Sequence, residues 1–288
     1  MSAAVFCKLV REGGAMAVVK TLCGRIISVS RRTDVPAYFS DWFFNRLSEG
    51  YVEVVNPFNP RQIRHISLLP DDVEGFVFWT KDPAPMLDRL RLLDDYRYYF
   101  LFTLNPYGND IEANLPPKQT LINTFQTLSN AAGRDRVIWR YDPLLLSDTI
   151  DTGFHMKNFE KMTEQLSAYT RKVIFSFVDH YKKTKSTMEA LSIRSPQTEE
   201  KLILAENFSR IAQGAGLALE SCAEDIDLSP YSIARASCID ATLLGRLGGK
   251  QIAYSKDKWQ REFCRCSSSV DIGAYRSCRT GCVYCYAR

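Results

Sequence analysis

The chain has 288 residues, 45% of them hydrophobic, and a formal net charge of +4. This charge is too small to indicate a nucleic-acid partner by itself, and no run of 18 or more apolar residues predicts a membrane span. Nine cysteines are an odd number, which argues against a closed disulfide framework and favours a reducing compartment. We therefore expect a cytoplasmic protein with a sizeable core and free thiols.

The first 24 residues carry no clear pattern, and we expect a short helix or a loose leader there. From residue 25 onwards, short β-branched or aromatic runs alternate with segments of helical periodicity. This alternation is typical of repeated βα units around a mostly parallel sheet. The candidate strands are Ile26–Ser30, Val52–Asn56, Gly75–Thr80, Tyr98–Leu104, Val137–Tyr141, Val173–Val178, Leu217–Ser221 and Asp271–Tyr275.

Amphipathic helices are predicted between these strands, within residues 39–50, 83–94, 117–133, 159–169 and 198–214. Eight strands separated by helices predict a (β/α)8 barrel of the TIM type, complete or partly open, in one domain over residues 25–288. Residues 228–266 interrupt the alternation. We expect an insertion there, with a helix at Ala241–Leu247 and a strand pair across Gln251–Cys264.

The loop of residues 276–288 contains the most specific motif. Cys278, Cys282 and Cys285 have the spacing C-x3-C-x2-C, and Tyr284 directly precedes the third cysteine. Three thiolates at this spacing can hold one face of a 4Fe–4S cluster and leave the fourth iron without a protein ligand. Half of a structural zinc site is the alternative, because C-x2-C is common in such sites.

In a barrel of this type, functional residues lie where the strands end and the βα loops begin. Those positions are strongly polar here, and turn-forming Asn and Asp residues before prolines explain only part of the set. Arginine, lysine and histidine are not turn formers, so a polar cavity is the better account of them. The candidate catalytic residues are Lys81, Asp142 and His180, with His180 as a proton donor.

Other polar residues leave two interpretations open. Arg31 and Arg32 could bind a carboxylate or a phosphate, or they could form ion pairs with Asp34 and other acidic neighbours. His65 and His155 are expected at the surface.

Four further cysteines, Cys222, Cys238, Cys264 and Cys266, fall at predicted loop positions in one quarter of the chain. Together they could hold a second 4Fe–4S cluster or a zinc ion. Their irregular spacing is specific for neither, and buried free thiols are the alternative. We assign no role to Cys7 and Cys23.

The three-cysteine motif resembles that of the radical S-adenosylmethionine (SAM) enzymes. More broadly, residues 25–286 resemble an uncharacterised bacterial family known only as a domain of unknown function. The resembling segments are Ile27–Pro36, Phe78–Pro83, Arg140–Pro143, Cys222–Glu224, Ser237–Asp240 and Asp271–Tyr275, the last running into Cys278.

The radical SAM resemblance implies that Cys278, Cys282 and Cys285 hold a 4Fe–4S cluster whose fourth iron binds SAM. It also implies reductive cleavage of SAM to a 5′-deoxyadenosyl radical, which acts on an unidentified polar substrate. The electron then comes from an external donor such as a flavodoxin or ferredoxin. The residues expected near SAM are Tyr284, Tyr286, Ser28, Ser30, Arg31 and Arg32.

The chain departs from the superfamily in two ways. There the motif follows the first barrel strand, whereas here it follows the last, which a circular permutation would explain: Asp271–Tyr275 replaces the usual first strand and Ile26–Ser30 the second. The Gly-Gly-Glu type segment that commonly binds the amino group of SAM is missing from Ile26–Ser30.

The alternative function is a non-catalytic iron–sulfur or zinc-binding barrel, either an electron carrier or a binding module. A role in nucleic-acid repair is suggested only by a looser likeness to photoproduct-repair enzymes of the superfamily. Nucleic acid is not expected as a partner, because no basic stripe or stacking motif is evident in the sequence.

Overall fold

A computed structural model describes residues 5–12, 15–22 and 24–288, and only the backbone of the first two segments. The strands and α-helices, in chain order, are β1 (Val5–Glu12), β2 (Ala15–Leu22), β3 (Arg25–Val29), α1 (Val35–Tyr38), α2 (Ser40–Glu49), β4 (Tyr51–Asn56), β5 (Asn59–Ser67), β6 (Val73–Thr80), β7 (Tyr98–Thr103), α3 (Lys118–Ala132), β8 (Val137–Leu144), α4 (Thr152–Leu166), β9 (Lys172–Phe177), α5 (Lys185–Ala190), α6 (Thr198–Gly214), β10 (Ala218–Ser221), β11 (Ala234–Arg235), α7 (Ala241–Leu247) and β12 (Val270–Asp271). Short 3-10 helices cover Pro70–Asp72, Ala84–Leu93, Arg134–Arg136, Ser167–Tyr169 and Ser229–Tyr231.

Eight strands form one parallel sheet in the order β12-β3-β6-β7-β8-β9-β10-β11. The chain builds this sheet outward from β3 in one direction, and the last strand returns to the other side of β3. There Val270 pairs with Ile27 and Asp271 with Ser28. Among the described strands no ladder joins β11 to β12, so the structure shows a large parallel sheet in a mixed α/β fold and does not show the predicted barrel closing.

A second sheet has the order β1-β2-β5-β4. Its strands β1 and β2 form an antiparallel pair in the region where a short helix or a leader was expected. Val52–Asn56 also belongs here, since β4 turns at Pro57 and pairs antiparallel with β5. In the parallel sheet β3 pairs directly with β6, and the eighth strand is β11 at the edge beside β10, whose two residues are too few to give a sequence pattern.

The predicted insertion, residues 228–266, differs from its prediction in two respects, of which one is that it contains β11 of the parallel sheet. Its helix α7 has the predicted bounds, but the strand pair across Gln251–Cys264 is wrong. That stretch is rich in charged and exposed residues, and its ladder is reduced to a single bridge between Lys256 and Ser267. A strand pair without an apolar face to bury gains little stability in water.

Helices α4 and α6 pack on the sheet through an aromatic core. The rings of Phe159 and Phe208 stack with centroids 3.9 Å apart, and Trp139 of β8 stacks on Phe159 at 5.2 Å. All three side chains are fully buried. His155 on α4 is also fully buried, which corrects the expected surface position. In the part of the chain that the structure describes, no helix is both long and apolar enough to cross a bilayer.

Candidate functional site

The three-cysteine loop lies at the carboxyl end of the parallel sheet. Cys278, Cys282 and Cys285 line a pocket of about 140 Å³. The same pocket is lined by residues that follow β3 and by residues at and just after the end of β6, namely Ser30, Arg31, Arg32, Thr33, Asp34, Trp79, Thr80 and Lys81. Strand ends of a parallel sheet thus bring together groups that are some 250 residues apart in the chain.

The segment before α3 holds the three-cysteine loop in place. The amide N–H of Val283 donates to the carbonyl oxygen of Ile111 at 3.0 Å, and the N–H of Asn114 donates to that of Thr280 at 3.0 Å. Gly281 between these bonds has φ +74°, and an added Cβ would lie 3.2 Å from the side chain of Asn114. The turn between the first two cysteines therefore favours glycine.

Glu112 is the centre of a buried polar network under this loop. Its carboxylate is 2.7 Å from Nζ of Lys81 and 2.9 Å from Nζ of Lys118. The hydroxyl of Tyr284 donates to it at 2.5 Å, and Nδ2 of Asn105 at 3.0 Å. Tyr284, the residue before the third cysteine, is thereby tied to the sheet. Glu112 carries no sequence signal, and sequence reasoning missed it.

The network determines the charge on Lys81. Burial alone would raise the pKa of Glu112, but the two lysines outweigh it and lower that pKa to about 2. Burial alone would lower the pKa of Lys81, but the negative charge of Glu112 outweighs burial, and the pKa of Lys81 is raised. Lys81 is therefore a cation in the wall of the cysteine pocket and is not a neutral base.

Burial raises the pKa of the Cys282 and Cys285 thiols, which are therefore neutral when no metal is bound. Burial raises the pKa of Cys282 to about 12, although the cation of Lys81 acts in the opposite direction. Coordination by a metal removes the proton from a thiol outright. The donor set, three sulfurs in a pocket that Lys81, Arg31 and Arg32 also line, therefore fits the chemistry of an iron–sulfur cluster, whose anionic thiolates would be partly balanced by these cations.

Among the described residues, no three His, Cys, Asp or Glu side chains are arranged around a single metal ion. This absence does not test a 4Fe–4S cluster, because there each thiolate binds a different iron atom.

Asp271, the last residue of β12, organises the loop after β3. Its carboxylate accepts hydrogen bonds from Ser28 Oγ at 2.8 Å, Ser30 Oγ at 2.7 Å and the amide of Arg31 at 2.8 Å. Ser28 is fully buried within the sheet and does not line the pocket, whereas Ser30 does. Of the two serines predicted near SAM, the structure therefore brings only Ser30 to the site.

Arg31 and Arg32 do not pair with Asp34. The guanidinium of Arg31 lies 3.5 Å from Asp257, and Nε of Arg32 lies 3.9 Å from Asp271. Asp34 instead caps α1 and accepts the amide of Lys81 at 2.7 Å, and burial raises the pKa of Asp34 to about 6. Both arginines line the pocket, and the hydroxyl of the predicted Tyr286 donates to the carbonyl of Arg31 at 2.9 Å.

Asp142 and His180 are not at the pocket. Asp142 is bonded to the guanidinium of Arg140 and the hydroxyl of Ser176, so its carboxylate is engaged within the sheet. His180 is exposed and lines neither of the two cavities that we describe. Of the three candidate catalytic residues, only Lys81 lines the pocket, and its catalytic role stays a prediction.

The second cysteine set does come together. Sγ of Cys222 lies 3.3 Å from Sγ of Cys238, and all four thiols are buried in one cluster. Hydrogen bonds from Cys238 and Cys264 lower the pKa of the Cys266 thiol. These sulfurs contact one another in a chain and do not surround one point. Their predicted role as a second metal site stays a prediction.

A larger cleft of about 1110 Å³ opens beside the cysteine pocket. The two cavities share Arg32 and Thr33 in their walls. The cleft lies between the turn that joins β4 to β5, the loop at residues 181–183, and the loop at residues 272–277.

The sequence was compared with known proteins and families. No curated protein matches the chain. Residues 26–287 match the family described as a domain of unknown function, DUF1848, which agrees with the resemblance seen in the sequence. Because the match covers all eight strands of the parallel sheet except the first residue of β3, together with the three-cysteine loop, the chain belongs to the DUF1848 family.

Proposed function

We propose that the protein is a radical SAM enzyme whose 4Fe–4S cluster is held by Cys278, Cys282 and Cys285. One observation carries the proposal: the three thiols line a single pocket at the carboxyl end of a parallel sheet, together with polar residues that follow β3 and β6. Ligands of α/β proteins bind at this end of the strands. The motif supplies the cysteines, and the fold supplies the cavity that an open iron site needs.

The proposal implies a circularly permuted barrel. In it, β12 replaces the usual first strand, which precedes the cluster loop, and β3 replaces the second. The parallel pairing of β12 with β3 supports this arrangement, since it places the last strand of the chain next to the first strand of the sheet. We infer that the sheet curves towards a barrel whose edges are β12 and β11.

When bound, the cluster and SAM would supply reductive cleavage of SAM and a 5′-deoxyadenosyl radical that removes hydrogen from the substrate, with an electron from a donor such as a flavodoxin or ferredoxin. The chain's own residues bind and orient. Lys81 offsets the negative charge of three thiolates, and Tyr284 fixes the loop through Glu112. Arg31 or Arg32 could hold the carboxylate of SAM, because both guanidinium groups line the pocket.

The four buried cysteines, Cys222, Cys238, Cys264 and Cys266, form part of the proposal as a second site. Arg140 is near these thiols, but burial acts to lower its pKa, which is raised first by Asp142 and only then by Cys238, Cys222 and Cys266. Burial also acts to lower the pKa of Arg31, and the raising contributions come from Cys266, Asp271 and Asp257. A second iron–sulfur cluster or a zinc ion would likewise stabilise the negative charge of these thiolates. The sulfur contact of 3.3 Å is shorter than the about 3.8 Å expected between two ligands of tetrahedral zinc.

Metal content separates these possibilities. We would reconstitute the protein without oxygen and count iron, sulfide and zinc per chain in the wild type, Cys282→Ala and Cys238→Ala. Two clusters predict about eight irons, with about four lost in each variant. Four irons lost only in Cys282→Ala would leave the second set as zinc or thiols. Zinc alone, without cleavage of SAM, would support the non-catalytic alternative and contradict the proposal.

A further inference from the structure

The cleft beside the cysteine pocket has room for a ligand other than SAM. Its volume of about 1110 Å³ lies above the range of about 300–1,000 Å³ that is usual for sites of drug-sized ligands. Because Arg32 and Thr33 belong to both cavities, a molecule in the cleft would lie next to the three-cysteine loop. If the proposed function is right, this is where the substrate binds.

The walls of the cleft carry an excess of positive charge. Four cations line it, Arg32, Lys182, Lys183 and Arg276, against one carboxylate, that of Glu53. Lys182 and Arg276 are exposed, and among the described residues neither has a carboxylate within 4.0 Å. Two cations without partners in a concave site favour an anionic ligand.

Aromatic rings lie between these cations. The guanidinium carbon of Arg32 is 5.0 Å from the ring centroid of Tyr275, and Nζ of Lys183 is 6.0 Å from it. Tyr181 and Tyr286 pack against each other with centroids 5.6 Å apart. Phe58, at the turn between β4 and β5, is 93% exposed. Exposed rings next to cations are the combination that binds bases by stacking and phosphates by charge.

We propose that the cleft binds a nucleotide, that is, a phosphorylated ligand with a planar base, either free or as part of a single strand. Its phosphate is held by Lys182, Lys183 and Arg276, and its base stacks on the tyrosines. SAM is a poor fit to the same walls, since its sulfonium and ammonium groups give it a net positive charge. Only the role of this nucleotide as substrate rests on the proposed function.

The residues of the cleft come from four separate parts of the chain, near residues 32, 58, 182 and 275. The sequence shows only two short runs of this kind, Tyr181-Lys182-Lys183 and Tyr275-Arg276, which lie about 90 residues apart. The fold alone brings them together.

The test uses the full chain, reconstituted with iron and saturated with SAM so that the SAM site is occupied. Fluorescence anisotropy measures binding of a labelled nucleoside monophosphate and of a labelled single-stranded hexanucleotide, each with inorganic tripolyphosphate as competitor. Lys182→Ala/Arg276→Ala removes both unpaired cations, and Lys157→Ala/Lys161→Ala on α4 is the matched control. Tyr275→Ala removes a ring of the cleft, and Tyr254→Ala, an exposed tyrosine outside it, is its control.

We expect at least one of the two probes to bind. Tyr275→Ala should weaken binding about 5- to 160-fold, the range that corresponds to loss of one stacked base. The double cation variant should reduce the slope of log K against log salt for the hexanucleotide by about 1.4. Binding of the monophosphate alone would identify a free nucleotide, and much tighter binding of the hexanucleotide would identify a strand.

Three results would overturn the inference. One is that neither probe binds. Another is that tripolyphosphate competes as well as the nucleotide while Tyr275→Ala has no effect, which would mean attraction by charge alone. The third is that the control variants weaken binding as much as the cleft variants do. Binding is measured without reductant, so SAM is not cleaved in this assay. A failure of nucleotide binding can therefore be distinguished from a failure of the proposed SAM cleavage.

Discussion

The buried carboxylate of Glu112 links the three-cysteine loop to the sheet, and its removal should be costly. Glu112→Gln keeps the size of the side chain but leaves Lys81 without a counter-charge. Since the side chain of Lys81 is only 13% exposed, breaking this pair falls in the range of about 3–5 kcal/mol for a buried ion pair. The side chain of Lys118 is 33% exposed, so its ion pair with Glu112 adds little to the free energy of unfolding. We therefore expect the free energy of unfolding to fall by about 3 kcal/mol.

Urea unfolding, followed by circular dichroism, measures the change. Glu164→Gln, an exposed carboxylate on α4, is the matched control and should change stability by less than about 0.5 kcal/mol. Lys81→Met in the Glu112→Gln background should restore part of the loss, because it removes the unpaired charge. Two results would contradict this role of the network. One is that Glu112→Gln destabilises the protein no more than Glu164→Gln does, and the other is that the effects of Glu112→Gln and Lys81→Met on the free energy of unfolding are simply additive.

Three further changes test the fold and the pocket. Phe159→Ala removes a fully buried ring that stacks on its neighbour, and should cost about 3–5 kcal/mol in urea unfolding; a loss below about 1 kcal/mol would contradict the packing. Burial lowers the pKa of His155 from 6.5 to about 4. The unfolded chain therefore binds the proton more readily, and between about pH 7.5 and pH 5 the wild type should lose about 2 kcal/mol of stability that His155→Gln does not lose. An equal pH dependence in both proteins would refute this. In Gly273→Ala the new Cβ would lie 2.0 Å from Oγ of Ser30, so stability should fall by about 1–3 kcal/mol, whereas Gly214→Ala meets nothing within 4 Å and should not be destabilising.

Sequence periodicity predicted the parallel sheet well, because buried parallel strands are continuous apolar runs that stand out between helices. It placed Val52–Asn56 in the wrong sheet. A strand of an antiparallel pair has the same β-rich composition as a parallel strand, and its own residues do not indicate which strand it pairs with. The two-residue strand β11 is too short to leave any pattern.

The candidate site was predictable in part. The spacing of the cysteines singled out the loop, and the rule that function gathers at strand ends brought in Lys81 and the arginines. Glu112 and Asp271 could not be found this way, since a lone acidic residue in a loop is ordinary until the fold surrounds it with donors. His180 shows the reverse error, because a polar residue at a strand end can face solvent as readily as a cavity.

The central claim is that Cys278, Cys282 and Cys285 hold a cluster that cleaves SAM. The measurement that tests it most directly is 5′-deoxyadenosine formation by anaerobically reconstituted protein given SAM and dithionite. We expect the product from the wild type and from Cys7→Ala, a cysteine of β1 to which no role is assigned, and none from Cys282→Ala, with the far-UV circular dichroism spectrum unchanged in both variants. Equal product from Cys282→Ala, or none from an iron-loaded wild type, would contradict the account.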